Sequence, residues 1–439
     1  MGLGGPMPEV VVIADDLTGA ADTGVQFCPY FTNTMMTSYD NLSPDSPILT
    51  SQALAVYTNS RFMKAESAQR RVRRVAQQLL AFHPNRIYKK VDSCLRGNLG
   101  AEVDEIVDEM GFDLSFIAPA FPEMGRVTLH DVHLLHDVPI AETELSQDPV
   151  NPVTESRLSR VVAAQSRYEV GHIDVRFLEG DCDAVAGEIT RLTSAGVRHL
   201  VFDATCQAHL DKIARFALDS DKKILLVGSA GLAGSLGTHF RKRDVGLASE
   251  IKDFREGYHL LVCGTTSDVM RLQILTLVRT YPYQVISLMP NLLADPGQRD
   301  RLLSKVPLAQ RLLSENDLVI KIEPSETVKA QEAKPVSAWT PEQIIEGLGL
   351  FVAMVVKGKS PASLFLSGGD TATAVLVAIG ASGIRLRREI VPGVATGTII
   401  GALMDGLPVV TKAGAFGKED TLLAVHEYWL KTTKERYDC

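Results

Sequence analysis

The sequence predicts an α/β protein of two domains, each a mostly parallel sheet flanked by helices, and three observations carry that prediction. Short aliphatic runs end in small or acidic residues and pass into helical patterns. The alternation recurs along the whole chain. Its 439 residues also exceed one domain of about 100–200 residues. The runs are Val10–Ala14, residues 115–118, His199–Phe202, residues 224–227, residues 259–262 and residues 364–366. Between them, Ala68, Val72, Val75, Ala76, Leu79 and Leu80 form an apolar stripe at helical spacing, with Arg70, Arg71, Arg73 and Arg74 on a solvated face. Gly228, Gly231 and Gly234 suit a helix packed closely on a sheet. Residues 127–157, rich in His, Asp and Pro, read as a long irregular excursion.

Residues 241–257 (RKRDVGLASEIKDFREG) carry mixed charge and no β run, so the boundary falls there. The expected division is a flexible leader at 1–8, a first domain at 9–243, a linker at 244–257 and a second domain at 258–439.

Hydrophobic residues make up 45% of the chain and charged residues 22%, which excludes disorder and collagen-like repeats. Net charge is −8, from 45 Lys+Arg against 53 Asp+Glu, which argues against a nucleic-acid partner or an anionic membrane surface. Any anionic ligand must therefore be held by a local cluster. Residues 390–404 lack charge but are interrupted by Pro392, Gly393, Gly397 and Gly401, so no segment reads as membrane-spanning. Six scattered cysteines without a CxxC suit reduced thiols in the cytoplasm.

Chemistry concentrates where strands end. The first strand runs into Asp15 and Asp16, followed by Thr18 as a helix cap, at the edge where open α/β sheets bind ligands. Adjacent carboxylates repel unless a cation or a hydroxylated ligand uses them. The turn 89–98 (KKVDSCLRGN) gathers Lys89, Lys90, Asp92, Ser93 and Arg96 and looks built for a small anion, with Gly97 allowing close backbone approach. Ser60 and Arg61 follow another strand, and residues 118–128 are a Pro-shaped loop that would wall the same pocket. In the second half, Thr265, Thr266, Ser267 and Asp268 open one helix, and Ser367, Gly368, Gly369, Asp370 and Thr371 open another. Residues 412–418 make a third glycine-lined loop around Gly414. Three such turns favour a nucleotide site, although neither a Walker loop nor a clean G-x-G-x-x-G is present. His130, His133 and His136 are spaced wrongly for one helical face and read as loop or solvated residues rather than a zinc site, so no metal ligands are assigned. Cys206 and Cys263 read as structural thiols.

The segments IADDLTGAAD, KKVDSCLRGN, APAFPEMGRVT, VGSAGLAGSL, SGGDTA, VPGVATG and TKAGAFG occur in the order seen in the four-carbon acid sugar kinases, formerly a domain family of unknown function. The chain resembles that family over about residues 10–422. The resemblance implies a sugar-acid-binding N-terminal domain, an ATP-binding C-terminal domain and an active site in the cleft between them. It also implies phosphorylation of the terminal hydroxyl of D-threonate, or of D-erythronate, L-threonate or 3-dehydrotetronate. Carried over by motif, Asp15, Asp16, Ser60, Arg61, Lys90, Asp92, Ser93, Arg96 and Gly97 would hold the acid, with Asp16 or Asp92 catalytic. Thr266, Ser267, Ser367, Gly368, Gly369, Asp370, Thr371 and Gly414 would hold ATP with Mg2+. Cys94 stands where the family commonly has Thr, and Ala413 and Ala415 flank Gly414 where Ser and Asn are frequent. A homodimer is expected; the rival readings are a non-catalytic sugar-acid sensor and a metal-dependent hydrolase or aldolase.

Overall fold

The computed structural model describes residues 8–43, 47–148, 151–242, 257–323 and 339–434. The chain forms two compact units, residues 1–243 and 244–439. The expected leader and linker lie almost wholly outside the described residues.

The first unit runs β1 (Val10–Ala14), α1 (Leu17–Gly24), β2 (Thr34–Ser38), β3 (Ala53–Tyr57), α2 (Ala65–Leu80), β4 (Ile87–Lys90), α3 (Leu99–Glu109) and β5 (Leu114–Ala118). It continues through β6 (Arg126–Leu129), β7 (Val132–Leu135), β8 (Val138–Pro139), α4 (Leu158–Ala163), β9 (Val170–Ile173), α5 (Val175–Glu179) and α6 (Cys182–Ser194). It closes with β10 (His199–Phe202), α7 (Gln207–Leu218), β11 (Ile224–Gly228) and α8 (Ala230–Gly237). Its main sheet has the order β2-β3-β1-β4-β11-β5-β10-β9, parallel throughout. Every residue of β1, β3 and β5 is buried, as a sheet covered on both faces requires, so these strands read as continuous apolar runs rather than alternating ones. From β1 the chain first builds β2 and β3 on one side and then β4 on the other. The strand order therefore reverses at β1, which opens a crevice beyond the carboxyl ends of β3, β1 and β4.

The excursion at 127–157 differs from expectation. It is a hairpin sheet, β6-β7-β8, antiparallel and in register. Leu129 pairs with Val132 and Leu135 with Val138, each across a two-residue His-Asp loop, and all four loop residues have positive φ: His130 50°, Asp131 69°, His136 49° and Asp137 65°. Two-residue hairpin turns of that handedness match strand twist, and Asp and His tolerate them better than most residues. The dipeptide His-Asp thus did the work usually signalled by Asn-Gly. In α2 the stripe is buried through Leu79, while Leu80 stays exposed. The arginine face is not simply solvated: Arg71 donates to the carbonyls of Thr58 (2.8 Å) and Asn59 (3.2 Å), and Arg73 pairs with Glu105 at 2.6 Å. The spaced glycines do bring α8 close to the sheet, since a Cβ on Gly228 would lie 2.5 Å from the Ala118 carbonyl oxygen and one on Gly231 2.9 Å from that of Ala120.

The second unit runs β12 (His259–Cys263), α9 (Asp268–Thr280), β13 (Gln284–Leu288), α10 (Pro290–Ala294), α11 (Arg299–Leu303), α12 (Val306–Glu315) and β14 (Leu318–Ile322). It continues with α13 (Pro341–Gly358), β15 (Ser363–Ser367), α14 (Gly369–Ala378), β16 (Gly383–Val391), β17 (Val394–Ile400), β18 (Pro408–Lys412) and α15 (Thr421–Lys434). The order is β13-β14-β12-β15-β18-β17-β16, parallel from β13 to β18 and antiparallel across β17 and β16. Leu261, Phe365, Val410, Val319, Leu277 and Trp429 fill its core, each fully buried aliphatic contributing about 1.5–3 kcal/mol over an exposed one. Here the order reverses at β12, so the carboxyl ends of β12, β15 and β18 lie side by side.

Candidate active site

In the first unit three strand ends deliver the sequence-predicted cluster. Asp16 caps α1, its Oδ1 accepting from the Gly19 amide (2.9 Å) and its Oδ2 from the Thr18 hydroxyl (2.7 Å). Arg61, after β3, lies between the two adjacent carboxylates. It donates to Asp15 through Nε (2.7 Å) and Nη2 (2.9 Å), and to Asp16 through Nη1 (3.0 Å) and Nη2 (2.7 Å). The repulsion within the Asp pair is thus answered by a protein cation. Burial pushes the Asp15 carboxyl up, but Arg61, with Lys89 and Lys90 behind it, outweighs burial and holds it below the usual range.

The turn after β4 is fixed by its own ion pair. Arg96 donates to Asp92 Oδ2 through Nε (2.6 Å) and its amide (3.3 Å), and to Oδ1 through Nη2 (3.3 Å). Burial alone would raise the Asp92 carboxyl; Arg96 and Arg61 hold it well below the carboxylate range. Gly97 has φ +95°, and a Cβ there would meet Arg61 Cγ at 3.3 Å, so glycine lets this turn close over the arginine.

Ser60 is placed differently from expectation. Its side chain is fully buried, with the hydroxyl 2.7 Å from that of Thr58 and donating to Glu102 Oε1 at 2.6 Å. Glu102 in turn pairs with fully buried Lys89 at 2.6 Å. Ser60 therefore belongs to a buried chain behind the crevice rather than to its surface. The pairing of Lys89 with Glu102 escaped sequence reasoning because it joins a strand to a helix across the sheet face, with no local spacing to mark it.

Four carboxylates, three buried (Asp15, Asp92, Glu102) and one half-buried (Asp16), accompany four cations (Arg61, Lys89, Lys90, Arg96), and three of those cations are ion-paired. Lys90 is the exception. It is 4% exposed and its ammonium donates to the Val91 carbonyl at 2.7 Å, with no carboxylate within 4.0 Å among the described residues. A Cβ on Gly19 would lie 3.0 Å from it, which places that ammonium over the start of α1.

The hairpin sheet supports this turn. His133 is fully buried; its Nε2 lies 2.9 Å from the Ser93 carbonyl and its Nδ1 2.9 Å from the Thr128 hydroxyl. A neutral ring donating through Nε2 and accepting at Nδ1 satisfies both contacts, and burial pushes its pKa down to about 4. The Arg126 guanidinium is near enough to the Cys94 thiol to oppose the rise that burial gives its pKa, so the 118–128 loop does reach the turn. Asp148, not singled out from sequence, lies 4.0 Å from Arg96. His130, Asp174 and Asp203 are close enough to one another to hold a metal ion. Asp203 already accepts from the amides of His130, Asp131 and Val175 and faces the His172 ring at 2.9 Å. Its lone pairs are committed to tying the hairpin to β9 and β10, so the donor set does not fit a metal.

In the second unit the three glycine-lined turns do come together. Ser267 caps α9 and donates to the Gly414 carbonyl at 3.4 Å. Gly368 (φ +98°) donates its amide to the Lys412 carbonyl at 2.9 Å. A Cβ on Gly264 would lie 2.0 Å from Thr371 Oγ1, and one on Gly414 2.9 Å from Thr265. Thr266 and Asp370 are exposed, Thr371 is buried, and Gly369 begins α14. The Ser367 hydroxyl is buried at the end of β15 with no partner among the described residues. Backbone amides and hydroxyls from three adjacent strand ends are the donors a polyphosphate takes.

Fold and sites define a two-domain α/β phosphotransferase, with an ion-paired crevice in one unit and phosphate-type turns in the other. Family models for a sugar-binding N-terminal domain and a nucleotide-binding C-terminal domain match residues 10–236 and 260–422. The chain belongs to the four-carbon acid sugar kinase family. It is 33% identical to a D-threonate kinase of Salmonella typhimurium, covering 94% of this chain and 96% of that one. It is 30% identical to a D-erythronate kinase of Heliobacterium modesticaldum, covering 98% and 99%. A 3-oxo-tetronate kinase of Brucella melitensis is 26% identical over 93% of each. A solved structure from Salmonella typhimurium shares the fold with TM-score 0.77 at 21% identity, over 95% of this chain and 98% of that one. No helix among the described residues is long and apolar enough to cross a membrane.

Proposed function

We propose that this enzyme transfers the γ-phosphate of ATP to the C4 hydroxyl of D-threonate in the cytoplasm, with Mg2+ and as a homodimer. The observation that carries the reading is the unequal state of the four cations. Arg61, Lys89 and Arg96 are ion-paired, and Lys90 is the buried ammonium that has no carboxylate partner among the described residues and so can pair with an incoming one. Arg61 acts on the acid indirectly, by neutralising Asp15 and Asp16.

The same logic separates the two candidate catalytic carboxylates. Both Asp16 oxygens already accept two hydrogen bonds each. Asp92 Oδ1 accepts one long contact at 3.3 Å, so Asp92 has the capacity to orient the C4 hydroxyl and take its proton. Its low pKa is tolerable because phosphoryl transfer asks for positioning and charge neutralisation more than for a strong base. Mg2+ takes oxygen donors and keeps phosphate oxygens and waters; the Asp370 carboxylate and the partnerless Ser367 hydroxyl are of that kind, and the ion would offset charge on the phosphates.

The test is ADP release measured over D-threonate, D-erythronate, L-threonate and 3-dehydrotetronate. D-Threonate is expected to give the highest kcat/KM, ATP hydrolysis without acid to be far slower, and Asp92→Asn to lower kcat more than Asp16→Asn. ADP release that no four-carbon acid accelerates would overturn the reading.

A further inference from the structure

Lys412 ends β18 as one of the largest fully buried side chains in the molecule. Among the described residues no carboxylate pairs with it. Its ammonium instead donates to three carbonyls of the loop that follows: Ala413 (2.8 Å), Gly414 (3.2 Å) and Phe416 (2.8 Å). A second buried side chain reaches the same loop from α9, for Gln273 Nε2 donates to the carbonyls of Phe416 (3.1 Å) and Lys418 (2.8 Å). Four of the loop's carbonyls, those of Ala413, Gly414, Phe416 and Lys418, are thus drawn onto donors buried beneath it. The Phe416 amide turns back to the Ala413 carbonyl (3.2 Å), and the amides of Gly414, Ala415 and Gly417 have no acceptor among the described residues. Gly417 (φ +88°) supplies the left-handed conformation such a winding loop needs.

A buried ammonium whose partners are neutral carbonyls is costly. Burial accordingly pushes the Lys412 ammonium down to about 7, with Cys263 the opposing influence. A folded protein keeps such a group where something offsets the cost, and an anion seated on the far side of the loop does so. Loops with carbonyls turned to one side and successive amides to the other are anion seats.

We infer that Lys412, assisted by Gln273, is a positioning residue for nucleotide binding. It holds the loop 413–418 with carbonyls inward, so that the amides around Gly414 meet the phosphates, while itself staying out of contact with the nucleotide. This inference rests on the nucleotide-binding reading of the second unit and adds the device that shapes its third turn. Sequence reasoning picked out the glycines of that loop and left the lysine that begins it without a role.

The experiment compares the full-length wild type with Lys412→Met and Gln273→Leu, measuring ADP affinity by calorimetry and KM for ATP and for D-threonate separately. Lys412→Met is expected to weaken ADP roughly tenfold or more and to raise KM for ATP in parallel, because charge-assisted hydrogen bonds to three carbonyls are lost. KM for the acid should stay within about twofold, a split that general loosening of the fold would not produce. Gln273→Leu should show the same split at roughly threefold, since Lys412 still holds three carbonyls. It carries the test if Lys412→Met fails to fold. Folded variants that bind ADP as the wild type does, or that raise both KM values together, would sink the inference and leave the nucleotide reading standing. A wild type that binds no ADP would remove both.

Discussion

At the scale of single residues, equal formal charges have unequal jobs. Arg61 and Lys90 both lie buried near Asp15, yet Arg61 makes four hydrogen bonds to two carboxylates and Lys90 makes one to a carbonyl. Removing Arg61 leaves two adjacent carboxylates uncompensated in a buried site, and breaking a buried pair in that way costs about 3–5 kcal/mol. Removing Lys90 strands no carboxylate partner. Arg61→Met should therefore lower the unfolding midpoint steeply, whereas Lys90→Met should fold with nearly the wild-type midpoint and raise KM for the acid about tenfold, the worth of one charge-assisted contact. Denaturant titration beside steady-state kinetics reads both numbers, and equal loss of stability in the two variants would contradict the assignment.

At the scale of elements, the hairpin sheet and the turn after β4 are tied through one imidazole, and the tie has a pH signature. His133 has its pKa lowered to about 4 from an ordinary 6.5, so between those values the unfolded chain takes up a proton that the folded one refuses. Because burial disfavours the charged ring, this group takes nothing from stability above pH 6.5, lowers it as pH falls through that window, and has no further effect below about 4. The stability lost across the window is on the order of 3 kcal/mol. His133→Gln should flatten that part of the wild-type stability curve between pH 7 and 4.5, measured by urea unfolding; parallel curves would refute the tie. What the sequence revealed at this scale follows from locality. β1 with its Asp pair, the 89–98 turn and the glycine turns of the second unit are contiguous runs, so their chemistry could be read directly. The hairpins were missed because His130-Asp131 and His136-Asp137 are rarer turn formers than Asn-Gly. Lys89 with Glu102, and Gln273 with the 413–418 loop, were missed because each pair is assembled by packing between elements distant in sequence. The same blindness put Ser60 on the ligand's side of the site.

At the scale of the whole molecule, each of the two units gathers one kind of donor set. The first holds its carboxylates and cations in one local cluster, which reconciles a net charge of −8 with an anionic ligand, since the cation that would meet the acid, Lys90, is the one left without a carboxylate among the described residues. The second gathers glycines, hydroxyls and, among the described residues, the buried Lys412 held by carbonyls alone. A ligand that binds only the folded form of one unit stabilises that unit by RT ln(1 + [L]/Kd), about 2.7 kcal/mol at a hundred times Kd. Calorimetry of the full chain should then resolve two transitions. ADP at that excess should raise one of them by several degrees, D-threonate should raise the other, and the two together should raise both. A single transition displaced equally by either ligand would mean that the units unfold as one cooperative body, and stability could not then be assigned to each site separately.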